Sequence, residues 1–228
     1  VRVLVTGASG FIGSHIIPRL IEKDYDVWAL ERYVAGRYAK PKTVKTVFGD
    51  LREYFAMKNT ISQVQPDFVI HLAAISPVSY SYSHPNAVLE TNLTGTVNLA
   101  EACLREVPHF KQFLDASTSE TYGNGPVCKT EDTIQSHNSP YAGSKLAAEN
   151  YLLYMNAGYG FPATILRPFN TYGRKSDYHF VVEHAIMKML TEISCRLGDR
   201  APTRDFMYVD DHVSAYLTCM ENPLTIGE

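Results

Sequence analysis

The stretch VRVLVTGASGFIG, residues 1–13, constrains the fold more than any other part of the chain. Its first residues are apolar without regular polar alternation, as in a strand covered on both faces. Gly7, Gly10 and Gly13 follow, ahead of an amphipathic stretch from Phe11 to Lys23. Glycines between a strand and a helix let the backbone turn tightly and approach a ligand, and the first N–H groups of the helix are left to attract a diphosphate. With a second strand at DVWAL, 26–30, this is a βαβ opening. The ligand implied is a dinucleotide, and the candidate binding residues are Gly7, Gly10, Phe11, Ile12 and Gly13.

The same rhythm continues through strand-like runs at 44–48, 67–72, 111–117 and 163–168, separated by helical stretches near 52–63, 86–106 and 140–157. This predicts an α/β Rossmann fold, a doubly wound parallel sheet, over residues 1–167. Beyond Arg167 the pattern becomes irregular. Residues 168–228 are expected to supply a small, incomplete substrate-binding region at the carboxyl edge of the sheet and to return to the Rossmann core.

Composition narrows the function by exclusion. A net charge of −3 gives no basic field for nucleic acid, and no run approaches the roughly 20 apolar residues that span a bilayer. Neither nucleic acid nor membrane is expected as a partner. Cys103, Cys128, Cys195 and Cys219 are far apart, without the paired spacing of a metal site or redox dithiol, so no metal and a reducing cytoplasm are expected. Because residue 1 already begins a strand, no cleavable signal is expected before it.

Glu31 ends the second strand, where a carboxylate accepts from both ribose hydroxyls of NAD and repels the 2′-phosphate of NADP. Arg32 and Arg37 follow and can hold such a phosphate, so NAD is favoured with NADP as the alternative. His71 ends the fourth strand and reads as a packed core residue.

In SPYAGSK, 139–145, Ser139 can cap a helix, Pro140 fits its first turn, and Tyr141 and Lys145 then share one face. A nearby cation, assisted by an oxidised nicotinamide, lowers a tyrosine pKa by about one to three units, which makes Tyr141 a usable proton acceptor. This helix follows the strand that ends in Ser117 and Thr118. A hydroxyl, a phenol and an ammonium can therefore converge on one substrate oxygen. Glu120 of STSETYG, 117–123, adds a carboxylate beside Thr118.

The glycine loop, HLAA (71–74), STSETYG, SPYAGSK, LRPFNTYG (166–173) and TRDFMYVDD (203–211) occur in an order that resembles the NAD-dependent epimerase/dehydratase family, within the extended short-chain dehydrogenase/reductases. The resemblance implies that Asp50 and Leu51 lie against the adenine and that Leu72, Ala73 and Ala74 wall the cofactor. It also implies that Asn170, Arg204 and, more weakly, Arg174 contact a nucleotide-diphosphate sugar, and that the protein is a homodimer through helices near 86–106 and 140–157. Relatives continue past the final ENPLTIGE.

Glu120 resembles the acid/base of 4,6-dehydratases, which removes the C5 proton after C4 oxidation. Ser119 stands where glucose-type dehydratases carry an aspartic acid, so STSE resembles instead the GDP-mannose 4,6-dehydratases and also the UDP-glucuronate decarboxylases. The leading expectation is a GDP-mannose-type 4,6-dehydratase with Thr118, Glu120, Tyr141 and Lys145 catalytic and Ser119 at the substrate. A UDP-glucuronate decarboxylase or C4 epimerase is the alternative, and a non-catalytic dinucleotide sensor is the reading from another class.

Overall fold

The computed structural model describes residues 1–33, 39–124, 128–173, 180–191 and 203–228. Six parallel strands run in the order β3-β2-β1-β4-β5-β6: β1 Arg2–Thr6, β2 Asp26–Glu31, β3 Lys45–Phe48, β4 Phe68–His71, β5 Gln112–Ala116 and β6 Ala163–Leu166. The helices are α1 Phe11–Glu22, α2 Tyr54–Val64, α3 Val78–Ser83, α4 Pro85–Leu89, α5 Gly95–Glu106, α6 Pro140–Tyr159, α7 Val181–Thr191 and α8 Val209–Glu221. A second sheet pairs β7, Asn170–Tyr172, with β8, Phe206–Tyr208, in parallel. The doubly wound fold expected from the alternation is the fold observed.

Strand alternation divides the core in two. Leu4 and Phe113 point to one face of the sheet and pack with Met57 and Ile61 of α2, Leu99 of α5 and Leu152 of α6. Val3, Val5 and Leu114 point to the other, against Ile16 and Leu20 of α1 and Val213 and Tyr216 of α8. Both faces are therefore apolar, which is why the strands show no polar alternation. Residues 209–221 fold back under β1 and β5 as part of this second layer. Among the described residues no helix is long and apolar enough to cross a membrane.

The helix expected over 86–106 is present, running from Pro85 to Glu106 with helical backbone at its internal junctions, and it carries one irregularity. Between α4 and α5 the chain forms a π-helical turn, Glu90–Thr94, whose wider winding accommodates Asn92 as a fully buried side chain. Asn92 accepts from Ile75 N at 2.8 Å and donates to Ile75 O at 3.1 Å and Ser144 Oγ at 3.1 Å, so it ties the loop after β4 to α6. The helix expected from 52 begins at Tyr54, because Asp50 holds the backbone and guanidinium of Arg52 in a turn. β6 ends at Leu166, two residues before Pro168, which has no N–H to donate to a ladder.

His71, at the end of β4, is fully buried and its hydrogen bonds fix its tautomer. Thr96 Oγ1 donates to Asn92 O at 2.7 Å, so it accepts from His71 Nε2–H at 2.9 Å. Nδ1 then accepts from Thr6 Oγ1 at 2.8 Å, and Thr6 Oγ1 in turn accepts from Ala73 N at 3.0 Å. Burial, helped by the positive charge of Lys145, pushes its pKa down to about 3. The imidazole is a neutral structural link between β1, β4 and α5.

An unfolded histidine takes up a proton below about pH 6.5, whereas this folded one refuses it until about 3, so stability should fall with acid across that window. The cost is about 1.4 kcal/mol per pH unit. Urea unfolding of the native protein and of His71→Asn between about pH 6.5 and about pH 4.5 should show the native protein losing stability more steeply, by about 1 kcal/mol or more per unit. Parallel pH profiles would contradict this role.

Candidate active site

In the sheet order the chain winds outward from β1 to β3 and then crosses to β4, so the carboxyl ends of β1 and β4 face a crevice at the point of reversal. A cleft of about 280 Å³ lies there, lined by Gly7, Gly10, Glu31, Asp50, Leu51 and Ala73 among others. Arg32 and Ala74 also line it. Gly7 has φ +65°, and a Cβ on it would lie 2.9 Å from Ala73 N, so the loop can sit this close to the end of β4 only as glycine. Helix α1 begins at Gly10 with no side-chain cap and no acidic residue in its first turn. Its leading N–H groups are left for an anion, as a dinucleotide diphosphate requires.

Other residues of the same motif do different work. Phe11 and Ile12 pack partly buried against the α1/α8 side of the core, as does Leu72, while Gly13 is buried in the first turn of α1. Asp50 lines the cleft, but its two oxygens carry a bidentate pair with Arg52, at 3.0 and 2.6 Å. That guanidinium holds its carboxyl below the usual range. Arg37 and Arg174 lie outside the described residues.

Ser139 accepts from Ala142 N at 3.1 Å and Pro140 occupies the first turn of α6, which starts the helix where the sequence indicates. Tyr141 and Lys145, one turn apart, are 8% and 1% exposed. The ammonium of Lys145 has no hydrogen-bond partner among the described residues, and neither has either oxygen of Asp115 on β5, also fully buried. Burial pushes the Asp115 carboxyl up, opposed by the charge of Lys145 and reinforced by that of Glu149. Such an orphaned ammonium fits a bound group with hydroxyls to offer, which the ribose of a dinucleotide would supply.

Thr118 caps a short 3₁₀ turn, Ser119–Tyr122, and accepts from Glu120 N at 3.2 Å. The turn ends at Gly123, φ +56°, where a Cβ would collide with Ser136 O. Glu120 is half-buried and lines a second cavity, of about 300 Å³, with Ser119, Asn170, Arg204 and Lys129. The four sequence-picked residues thus share one cavity, while Thr118, Tyr141 and Lys145 are buried and line neither this one nor the cleft at Gly7. Lys129 was not indicated by sequence; its ammonium is buried, 5.9 Å from the centre of the Tyr122 ring.

A buried ion pair holds these segments together. Glu149, one turn beyond Lys145 on α6 and fully buried, accepts from Ser117 Oγ, from Gln135 Nε2 at 2.7 Å, and from Arg167 Nε and Nη2 at 3.0 and 2.8 Å. Arg167 also donates to Tyr122 OH at 3.1 Å. The spacing of Tyr141, Lys145 and Glu149, each four apart, marks one helix face and was the available signal; the partners at 117, 135 and 167 had none. Among the described residues no group of three or more His, Cys, Asp and Glu side chains is placed to hold a metal ion.

A glycine-lined cleft at the switch point of a parallel sheet, with a buried tyrosine and lysine on the helix beside it, defines an α/β dinucleotide-binding protein. The chain belongs to the NAD dependent epimerase/dehydratase family, whose model matches residues 3–228, and it is an NAD-dependent enzyme. A solved UDP-glucose 4-epimerase from Thermus thermophilus, in complex with NAD, is 32% identical with a TM-score of 0.87 over 97% of this chain and 75% of that one. A dTDP-glucose 4,6-dehydratase from Streptomyces venezuelae, solved with NAD bound, is 27% identical with a TM-score of 0.87 over 100% and 74%. A UDP-N-acetyl-alpha-D-glucosaminuronate decarboxylase from Bacillus cytotoxicus is 31% identical over 96% of this chain and 71% of its own length.

Glu149→Gln removes the charge of a fully buried carboxylate and leaves Arg167, whose side chain is 18% exposed, without its counter-charge. Because water partly screens that guanidinium, the cost falls below that of a fully buried pair, to about 2–3 kcal/mol. Urea unfolding should show a loss of that order. A loss below about 1 kcal/mol would mean that the pair contributes little to holding α6 against β6.

Proposed function

We propose that the protein is a nucleotide-sugar 4,6-dehydratase, with a GDP-mannose-like substrate favoured. The observation that carries this reading is Glu120 in one cavity with Ser119, Asn170 and Arg204. Epimerisation at C4 needs no second acid/base, whereas a carboxylate beside the capping threonine supplies one. Ser119 in place of an aspartic acid favours the GDP-mannose type over the glucose type.

NAD, when bound, supplies reversible uptake and return of a hydride. The phenol oxygen of Tyr141 takes the proton of the substrate C4 hydroxyl, and the Thr118 hydroxyl hydrogen-bonds the same oxygen. Lys145 stabilises the phenolate by its charge. Once C4 is a ketone its neighbour C5 is acidic, and the Glu120 carboxylate removes the C5 proton and passes that same proton to the C6 hydroxyl, which leaves as water. Asn170 and Arg204 bind the sugar nucleotide, the guanidinium suiting its diphosphate. Gly7, Gly10 and the α1 N-terminus hold the cofactor diphosphate, and Glu31 its ribose.

Lys129 favours a second reading. It forms part of the wall of the Glu120 cavity, and a cation there would suit a sugar carboxylate, as in a uronate decarboxylase, where carbon dioxide leaves C5 after C4 oxidation. The described thiols, Cys103, Cys128 and Cys219, are unpaired, which suits a cytoplasmic enzyme. The exposed Tyr154 and Tyr159 of α6 suit a homodimer through that helix.

Incubation with GDP-mannose, UDP-glucuronate and UDP-glucose distinguishes the readings by a keto sugar, a pentose or an epimer. Glu120→Gln should still accumulate reduced cofactor, showing C4 oxidation, while product formation falls by about 100-fold or more. Full activity in that variant would remove Glu120 from the mechanism, and tight NAD binding without turnover of any sugar nucleotide would leave a sensor.

A further inference from the structure

Glu31, the carboxylate at the ribose end of the cleft, is already engaged. Its Oε1 accepts from Ser9 Oγ at 2.6 Å and from Lys40 Nζ at 2.8 Å, and Lys40 Nζ also donates to Ser9 Oγ at 3.0 Å. The three groups form a closed triangle, with the Lys40 and Glu31 side chains 19% and 12% exposed. Among the described residues none of these bonds falls on Oε2, which is left for a ribose hydroxyl. An ammonium has three donors, and the triangle uses two.

The charge balance is what a bare Glu31 would not give. Alone, its carboxylate would repel a phosphate on the ribose 2′ oxygen. With Lys40 on it the pair is neutral, and it is shielded enough from water for the compensation to hold. Asp50, the other carboxylate lining the cleft there, is likewise matched by Arg52. Arg32 also lines this end, its guanidinium over the Tyr33 ring at 4.9 Å. Arg52 also faces Glu90 at 3.9 Å. Among the described residues the three cations here, Lys40, Arg32 and Arg52, therefore stand against three carboxylates, Glu31, Asp50 and Glu90, and the corner carries no net negative charge.

We propose that Lys40 sets the choice of dinucleotide: by neutralising Glu31 it lets the cleft accept the 2′-phosphorylated form, NADP, alongside NAD. The inference rests on the reading of this cleft as the dinucleotide site and goes beyond it in assigning selectivity to a residue outside the glycine motif. Glu31 would hold one ribose hydroxyl through Oε2, and the remaining donor of Lys40 would meet the added phosphate. Ser9 keeps both partners in register.

The test is calorimetric titration of NAD and NADP into cofactor-stripped protein, native and with Lys40→Gln, Lys40→Ala and Lys40→Arg. The native protein should bind both. Loss of the charge in the Gln or Ala variant should weaken NADP by about tenfold or more while changing NAD by less than about threefold, and Arg should keep the native ratio. Two neutral variants guard against a folding failure in one, which circular dichroism detects. An unchanged NADP to NAD ratio, an equal loss of both, or NAD binding without measurable NADP binding in the native protein overturns the role of Lys40 alone. Binding of neither dinucleotide to the native protein overturns the cofactor site and this inference together.

Discussion

The carboxylate of Glu149 is the point on which the site geometry depends. A fully buried charge is costly unless its lone pairs are taken up, and here they are met by a serine after β5, a glutamine from the loop before α6 and the Nε and Nη2 donors of Arg167. Glu149 itself stands on the helix of Tyr141 and Lys145, and its partners come from the strand end before the turn of Thr118 and Glu120, from the loop before α6 and from the strand end leading to Asn170. It thus joins the three segments to which the proposed chemistry is assigned. Since a buried charge cannot drift from its donors without being exposed as unpaired, the relative placement of the three segments is fixed more tightly than apolar packing alone would fix it. The backbone adds to this, with Ser117 N and Ser119 N bonded to Leu166 O and Pro168 O.

One turn away the opposite condition holds. Lys145 and Asp115 are as deeply buried as Glu149, yet neither has a hydrogen-bond partner among the described residues. Folded proteins rarely leave such groups unmet, and where they do the reason is usually chemical. The satisfied pair gives the neighbourhood its stability, and the unsatisfied ammonium keeps its capacity for a ligand. His71 shows what the same environment does to a group with no such role: held on both ring nitrogens by threonines, it is kept neutral.

What the sequence showed was local in origin. A strand, a glycine turn and a helix are set by neighbours in the chain, so the βαβ opening, the α6 start at Ser139 and Pro140, and the parallel sheet could be read directly. The π turn at Glu90–Thr94 could not, because its cause is Asn92 reaching Ile75 and Ser144, the latter 52 residues along the chain. Lys40 was equally silent. Nothing near it marks a ligand-facing lysine, and only the fold brings it to Glu31 and Ser9. Lys129, in the wall of the Glu120 cavity, is a third case, since only the fold brings its ammonium to 5.9 Å from the centre of the Tyr122 ring.

The same distinction separates the two regions proposed to bind anions. Around the glycine loop a bound diphosphate would be met by backbone: an uncapped helix start and a turn that tolerates no side chain, with donors fixed by the fold and present whatever the neighbouring side chains are. Around Glu120 the cations available are on side chains, Arg204 and Lys129, carried on segments far apart in the chain. Backbone donors come from a local conformation and therefore leave a motif. Side-chain cations can be supplied from many places on the same scaffold, so this second region is where members of one family can change substrate without changing fold.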